Sequence, residues 1–206
     1  DYLLIRGFAL LTECLYNNFL FWEILRYVKD YRISAFAWLR AVWDRREAFP
    51  PEIRRIFESF LDETRTELFD SEETLKRYYD TPEHYARLLR GEIGGNVIFK
   101  HKVRLLTQQM TRWVDFITPI AAELVCAQPG SEPHAQRHAE IAELQRYLNQ
   151  KLEGILDAAP ASETPIVDRF QHDILAWLRD GAGKRLAEFR CAEPLGYVFY
   201  FTREQQ

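Results

Sequence analysis

Between Glu83 and Arg104 the chain carries five cations, Arg87, Arg90, Lys100, Lys102 and Arg104, against two acids, Glu83 and Glu92. Five minus two is a local charge of +3, in a chain whose formal net charge is −4. Within this stretch, RLLRGEIGGNVIFKHKVR runs helix-like into Gly91, breaks at Gly94-Gly95 and restarts through Asn96. A helix starting at Asn96 presents unpaired backbone N–H groups and the positive end of its dipole beside these cations, which is the chemistry of a phosphate or carboxylate site. Arg90, Asn96, Lys100 and Lys102 are therefore candidate contacts to an anionic ligand or substrate. The pattern matches neither GxGxxG after a strand nor GxxxxGK[ST], so it is neither a dinucleotide nor a P-loop fingerprint. A second reading stands beside the first: a tight helix connection, N-capped by Asn96, with its cations solvated.

Other chemistry-bearing residues form weaker sets. His134 and His138 are spaced i, i+4, as two ligands of one metal would be, but no third ligand has a motif relation to them, and Glu140 does not complete the set. His84 and His101 flank the glycines and would meet if the two helices folded back as a hairpin, giving a titratable pair near the basic turn. Nucleophilic catalysis finds no GxSxG elbow, and Cys14 lies in an apolar run with no evident cation to activate it. The carboxylate pairs Asp62-Glu63 and Glu72-Glu73 read as surface charge on polar helix faces. No acid, base and nucleophile converge, so we expect no catalytic, cofactor-binding or metal-binding residue within this chain.

The bulk properties narrow the class. At 206 residues with 47% hydrophobic and 28% charged residues, the chain is a folded domain and not a disordered tail. An overall acidic balance argues against a nucleic-acid partner. Cys14, Cys126 and Cys191 are odd in number and lack any CxxC spacing, which suits reduced thiols in the cytoplasm. The apolar opening, Tyr2 to Val28, has no uncharged run longer than Cys14 to Trp22, far short of the roughly 20 residues that span a bilayer. It reads as a buried core helix with no membrane role. Asp1 stands where an initiator Met would, and we expect a piece of a longer protein.

Helical periodicity dominates from Leu3 to Leu156. Ser34 is placed to cap a helix carrying Phe36, Leu39 and Trp43, and Phe49-Pro50-Pro51 ends that helix and starts the next, which carries Ile53, Phe57, Phe60, Leu61 and Leu68. Asp70 with Glu73 resembles a capping box, and Thr81-Pro82-Glu83 gives another helix start. Phe99, Val103, Leu106, Met110, Trp113, Ile117, Ile120 and Leu124 recur every three or four residues, predicting one long helix, kinked by Pro119. Ile141, Leu144, Leu148, Leu152 and Ile155 mark another, after the Gln128-Pro129-Gly130-Ser131 loop. Trp22, Trp38, Trp43 and Trp113 fall on apolar faces as core residues. Past the AAPASETP loop, Ile166 to Phe170 reads as a strand, Asp173 to Arg179 as a short helix with Ile174 and Trp177, and Gly196 to Thr202 as a last strand. The expected fold is mainly α, a multi-helix bundle with a two-stranded β element near the C-terminus. A helical domain, 1–158, would carry a C-terminal α/β appendage, 159–206, packed on it as one unit.

Three segments carry a resemblance. RGFALLTECLYNNFLFWEIL from Arg6 to Leu25, YYDTPEHYARLLRGEIGGNVIFKHK from Tyr78 to Lys102 with its L-x-G-E-x-G-x-N element, and FQHDILAWLRD from Phe170 to Asp180 followed by GYVFYFT together resemble the C-terminal accessory region of cobalamin-binding radical SAM proteins, iron–sulfur oxidoreductase-like enzymes. The resemblance implies a parent that uses S-adenosylmethionine, a 4Fe-4S cluster and cobalamin. It implies for this chain a non-catalytic role, capping the upstream radical SAM barrel or docking a substrate or partner. The CxxxCxxC triad and a DxHxxG-type motif are absent, so no cofactor contact carries over to any residue here. The alternative is an independent helical protein-interaction or anion-binding module.

Overall fold

The computed structural model describes residues 2–129, 133–156 and 166–199. Over them the chain forms α1 (Tyr2–Leu15), α2 (Trp22–Asp30), α3 (Ala35–Asp44), α4 (Pro51–Thr66), α5 (Glu72–Tyr79), α6 (Pro82–Leu89), α7 (Val97–Gln108), α8 (Met110–Cys126) and α9 (His134–Leu156). Then follow β1 (Ile166–His172), α10 (Ile174–Asp180), a 3₁₀ turn (Leu186–Phe189) and β2 (Arg190–Phe199). The expected class, a helical bundle with a two-stranded sheet near the C-terminus, is the observed one. Residues 1, 130–132, 157–165 and 200–206 lie outside the described set, and with them the whole AAPASETP loop, Gly130-Ser131 and the last residues of the final strand; the side chain of Ile155 does too.

Local chemistry explains several of the helix starts. Ser34 Oγ accepts from Ala37 N at 3.1 Å, Asn96 Oδ1 from Phe99 N at 3.0 Å and Asp173 Oδ1 from Ala176 N at 2.9 Å, each relieving an orphan N–H. Pro51 and Pro82 occupy first-turn positions, where a missing N–H is harmless. The cap of α5 is Ser71 and not Asp70: its hydroxyl accepts from Thr74 N at 3.2 Å. Thr81 precedes α6 but its hydroxyl donates back to Tyr78 O at 2.9 Å and makes no cap bond.

Two expected long helices are each broken in two. The Tyr2 to Val28 segment stops at Leu15, because Asn18 Nδ2 donates to Glu13 O at 2.7 Å and Phe19 turns the chain at φ +55. The asparagine side chain satisfies a carbonyl that a continuing helix would have used. This turn leaves Trp22 37% exposed, out of the core where periodicity had placed it. The stripe from Phe99 to Leu124 breaks at Gln109 (φ −134, ψ 19), separating α7 from α8. Only its second half is inward: Leu106, Met110, Trp113, Ile117 and Ile120 are buried, whereas Phe99 and Val103 are exposed. The buried side of α7 is instead Val97, His101 and Leu105, which faces α4 and α1, while α8 packs on α9 and α3. A single straight helix cannot serve both sets of partners. Pro119 sits inside α8, which continues to Cys126. Leu68, beyond the end of α4, is half exposed.

The core is one connected cluster that includes both ends of the chain, with Leu10, Trp38, Phe60, Trp113 and Leu148 joined to Phe170, Ile174, Trp177 and Leu186. β1 and β2 are antiparallel, with Ile166 opposite Phe199 and Phe170 opposite Leu195, and the register slips between Phe170 and His172. β2 begins at Arg190, earlier than Gly196, and takes in Pro194, tolerable because each strand of a two-stranded sheet is an edge. The sheet leans on α9 through Tyr147, whose ring lies 5.7 Å from Phe170, 6.0 Å from Tyr197 and 5.6 Å from Phe199. These edge-on aromatic contacts supply the burial that two strands alone lack.

Candidate functional site

The basic turn is less cationic in three dimensions than in sequence. Arg90 Nε bonds Glu92 at 2.5 Å and Arg87 lies 3.4 Å from the same carboxylate. Lys100 Nζ reaches both oxygens of Glu63 at 2.9 Å, and Lys102 Nζ reaches Glu13 at 3.4 Å and Asn18 Oδ1 at 3.3 Å. Asn96 spends its side chain on the α7 cap. Gly94 shows why the turn needs glycine: its φ is +72, and a Cβ there would stand 2.7 Å from Leu88 Cδ1. The segment is a joint between α6 and α7, with Arg87, Arg90, Lys100 and Lys102 matched by acids from α1 and α4 as well as its own.

The two flanking histidines do not meet. His84 stacks on Tyr78, ring centroids 3.7 Å apart, and contacts Thr81 Oγ1 at 2.8 Å. His101 is fully buried, with Nδ1 3.0 Å from Val97 O and Nε2 3.3 Å from Ser59 Oγ, and burial depresses its pKa in spite of Glu63. His138 Nε2 lies 3.6 Å from Cys126 Sγ. Among the described residues no three His, Cys, Asp or Glu side chains are grouped to hold a metal. Cys14 is buried, which raises its thiol pKa far more than Lys102 lowers it, so it is inert as a nucleophile.

A different cation cluster emerges where the end of α2 meets the loop after α10. Arg26, Lys29, Arg32, Lys184 and Arg185, with Asp30 and Glu188, line a cleft of about 720 Å³ whose wall includes Ala182, Gly183 and Ala187. Five cations against two carboxylates leave +3 around one cavity. The two walls are locked together from below. Arg26 bonds Asp30 at 3.0 Å and donates to Gly181 O, and Trp177 Nε1 donates to Asp30 Oδ2 at 2.9 Å. Burial raises the Asp30 pKa, while Trp177 and Arg26 pull it back by stabilising the carboxylate. Arg185 lies over the Tyr31 ring at 4.7 Å. Arg26, Asp30 and Arg185 thus frame the cleft, leaving Lys29, Arg32 and Lys184 exposed at its mouth and in no ion pair among the described residues.

The backbone of both walls is turned to hold these cations. At the end of α2, Arg32 N bonds Lys29 O at 2.8 Å and Ile33 N bonds Val28 O at 3.0 Å, the paired closure in which the residue after the cap is left-handed. Glycine is the usual occupant, yet Arg32 stands there at φ +62, a strain of order 1 kcal/mol. Opposite, Gly183 at φ +77 completes a turn closed by Lys184 N to Gly181 O at 3.0 Å. Gly181 leaves no room for a side chain, since a Cβ would lie 2.3 Å from Trp177 O and 3.1 Å from an Arg26 nitrogen. Gly181→Ala is expected to cost about 1–3 kcal/mol in urea denaturation, because its Cβ would press on the Trp177 carbonyl in the last turn of α10 and crowd Arg26. A cost under about 0.5 kcal/mol would show that this turn yields to a Cβ.

Sequence reasoning passed over this cleft because its halves lie about 150 residues apart. Each half is ordinary alone: Lys29 suits the negative end of a helix dipole, and GAGKR looks like any glycine turn. Their one signal is the pairing of Gly181-Ala182-Gly183 with Lys184-Arg185.

No family model, curated protein or solved structure matches this chain.

Proposed function

We propose that this chain is a non-catalytic, anion-binding helical domain whose basic cleft seats a phosphate or carboxylate group of a ligand or partner. The observation that supports it is the cleft of Arg26, Lys29, Arg32, Lys184 and Arg185, with three of these cations exposed and unpaired with any acid among the described residues. Its shape, open and polar with a rigid floor, suits docking of a charged group and offers no converging acid, base and nucleophile.

The parent in this reading is a cytoplasmic cobalamin-binding radical SAM enzyme, with this chain as its C-terminal accessory region, capping the barrel or docking substrate or partner. The residues here do not fit the parent's cofactors: Cys14 is buried, and Cys126 and Cys191 are not grouped with further thiols. The cluster and cobalamin belong elsewhere in such a parent. No helix among the described residues is long and apolar enough to cross a membrane.

Calorimetric titration with inorganic pyrophosphate tests the cleft. Lys29→Glu with Lys184→Glu is expected to weaken binding more than tenfold, about 1.4 kcal/mol, and binding to the unaltered protein is expected to fall with added salt because these cations are exposed. Lys100→Glu with Lys102→Glu should change affinity less than twofold. The reverse ranking would return the site to the basic turn, and absence of pyrophosphate binding would remove the anion-binding function. For the parent, a CxxxCxxC motif is expected in the reading frame upstream of Asp1; an upstream frame without one would end that assignment.

A further inference from the structure

At the end of β1 lies a second cavity, of about 340 Å³, lined by Gln136, Glu140, Glu143, Arg146, Gln171, His172 and Arg190 with Ala139 and Ala142. Its centre is a buried pair. Glu143 on α9 and His172 at the end of β1 are only 7% and 6% exposed, and the His172 ring nitrogen Nδ1 is hydrogen-bonded to Glu143 Oε2. The other carboxylate oxygen accepts the Gln171 backbone N–H. That N–H is free to do so because the strand register slips between Phe170 and His172. The bulge therefore aims one backbone donor and one imidazole at the same carboxylate.

This arrangement sets the chemistry of the histidine. Glu143 Oε2 accepts from Nδ1, so Nδ1 carries a proton and Nε2 is the ring nitrogen left to meet the cavity. Glu140, next along the wall, is already occupied: its oxygens accept from Tyr27 Oη at 2.8 Å and Gln136 Nε2 at 3.0 Å. Arg146 is held by Asp168 at 3.0 Å and by the Phe170 ring at 4.8 Å. Arg190 is exposed at the rim and enters no ion pair among the described residues. The cavity therefore offers a buried imidazole nitrogen, a guanidinium at its edge and two exposed alanines beside them.

We infer that this cavity binds a small 2-hydroxycarboxylate, whose hydroxyl hydrogen-bonds His172 Nε2 while its carboxylate meets Arg190, the cross-strand partner of His172. The volume, at the small end of ligand pockets, admits such a molecule. The buried ring nitrogen supplies selectivity, because a ligand lacking the hydroxyl would desolvate Nε2 and give it no partner. Nothing in this inference depends on the basic cleft, which shares no lining residue with this cavity.

The test is a titration of the unaltered protein with lactate and with propionate, which differ only in the hydroxyl, following the His172 side-chain ¹⁵N resonances. Lactate is expected to shift Nε2 and to bind at least tenfold more tightly than propionate. Arg190→Ala, a change at an exposed position that leaves the fold intact, should weaken lactate at least fivefold, whereas Lys29→Glu with Lys184→Glu should leave it unchanged. Equal affinities for the two acids, an unmoved Nε2 resonance or an Arg190→Ala variant with undiminished lactate binding would each overturn the inference.

Discussion

Replacing Trp113 by alanine will lower the stability of this protein by about 3–5 kcal/mol, read as a shift of the urea midpoint at constant slope. Trp113 is fully buried on α8 and is the hub of an aromatic group, with Phe49 at 5.3 Å, Phe57 at 6.2 Å and Phe116 at 6.4 Å, mostly edge to face. These rings come from the segment before α4, from α4 itself and from α8, so the cavity left by truncation opens where three parts of the bundle meet. The indole Nε1 is buried and has no hydrogen-bond partner among the described residues. That orphan donor opposes folding, and Trp113→Phe removes it while keeping a ring in place. The phenylalanine variant should therefore lose less than about 2 kcal/mol. An alanine variant that loses under about 1 kcal/mol would show that this face of α8 is not core.

Arg137→Ala should be comparably damaging, at about 3–5 kcal/mol. Arg137, in the first turn of α9, is 1% exposed, and its Nη1 donates to Val125 O at 2.9 Å and Gln128 O at 2.8 Å. Those carbonyls close α8, so the guanidinium acts as a C-terminal cap delivered by the next helix. It also lies 5.1 Å over the Tyr31 ring, and its own carbonyl accepts from Tyr27 Oη at 3.2 Å, tying α2 to the same joint. Two charge-assisted bonds at about 1.5–3 kcal/mol each, less what relaxation and water recover, give the expected loss. Arg137→Lys should restore less than half, because an ammonium cannot reproduce the planar fork. Arg137→Met keeps most of the volume; a Met variant as stable as the unaltered protein would mean that packing, and not the capping bonds, accounts for the effect.

The helical class, the caps at Ser34 and Asn96, the first-turn prolines and the two-strand element were legible because each rests on contacts within a few residues. The breaks at Phe19 and Gln109 were not. Both interrupt runs whose local periodicity is sound, and both exist because successive segments pack on different partners: α7 on α4 and α1, α8 on α9 and α3. His101 compounds the error on α7, since a polar residue occupies a core position and shifts the apparent apolar stripe toward Phe99 and Val103. The basic turn misled in the opposite way. Its charge is conspicuous in sequence, but Glu13 and Glu63, which answer Lys102 and Lys100, lie 89 and 37 residues away.

By itself the sequence determined that this protein is a helical bundle with a small terminal sheet and that the chain breaks at Gly94-Gly95 and restarts at an Asn96 cap. Only the tertiary structure decided where uncompensated charge and buried acceptors lie. Helix formation and capping are local, within four residues along the chain, whereas a cation's partner or a histidine's tautomer depends on whatever the fold lays beside it. Lys29 with Lys184, and Glu143 with His172, became candidate sites only when α2 met the α10 loop and α9 met the bulged end of β1.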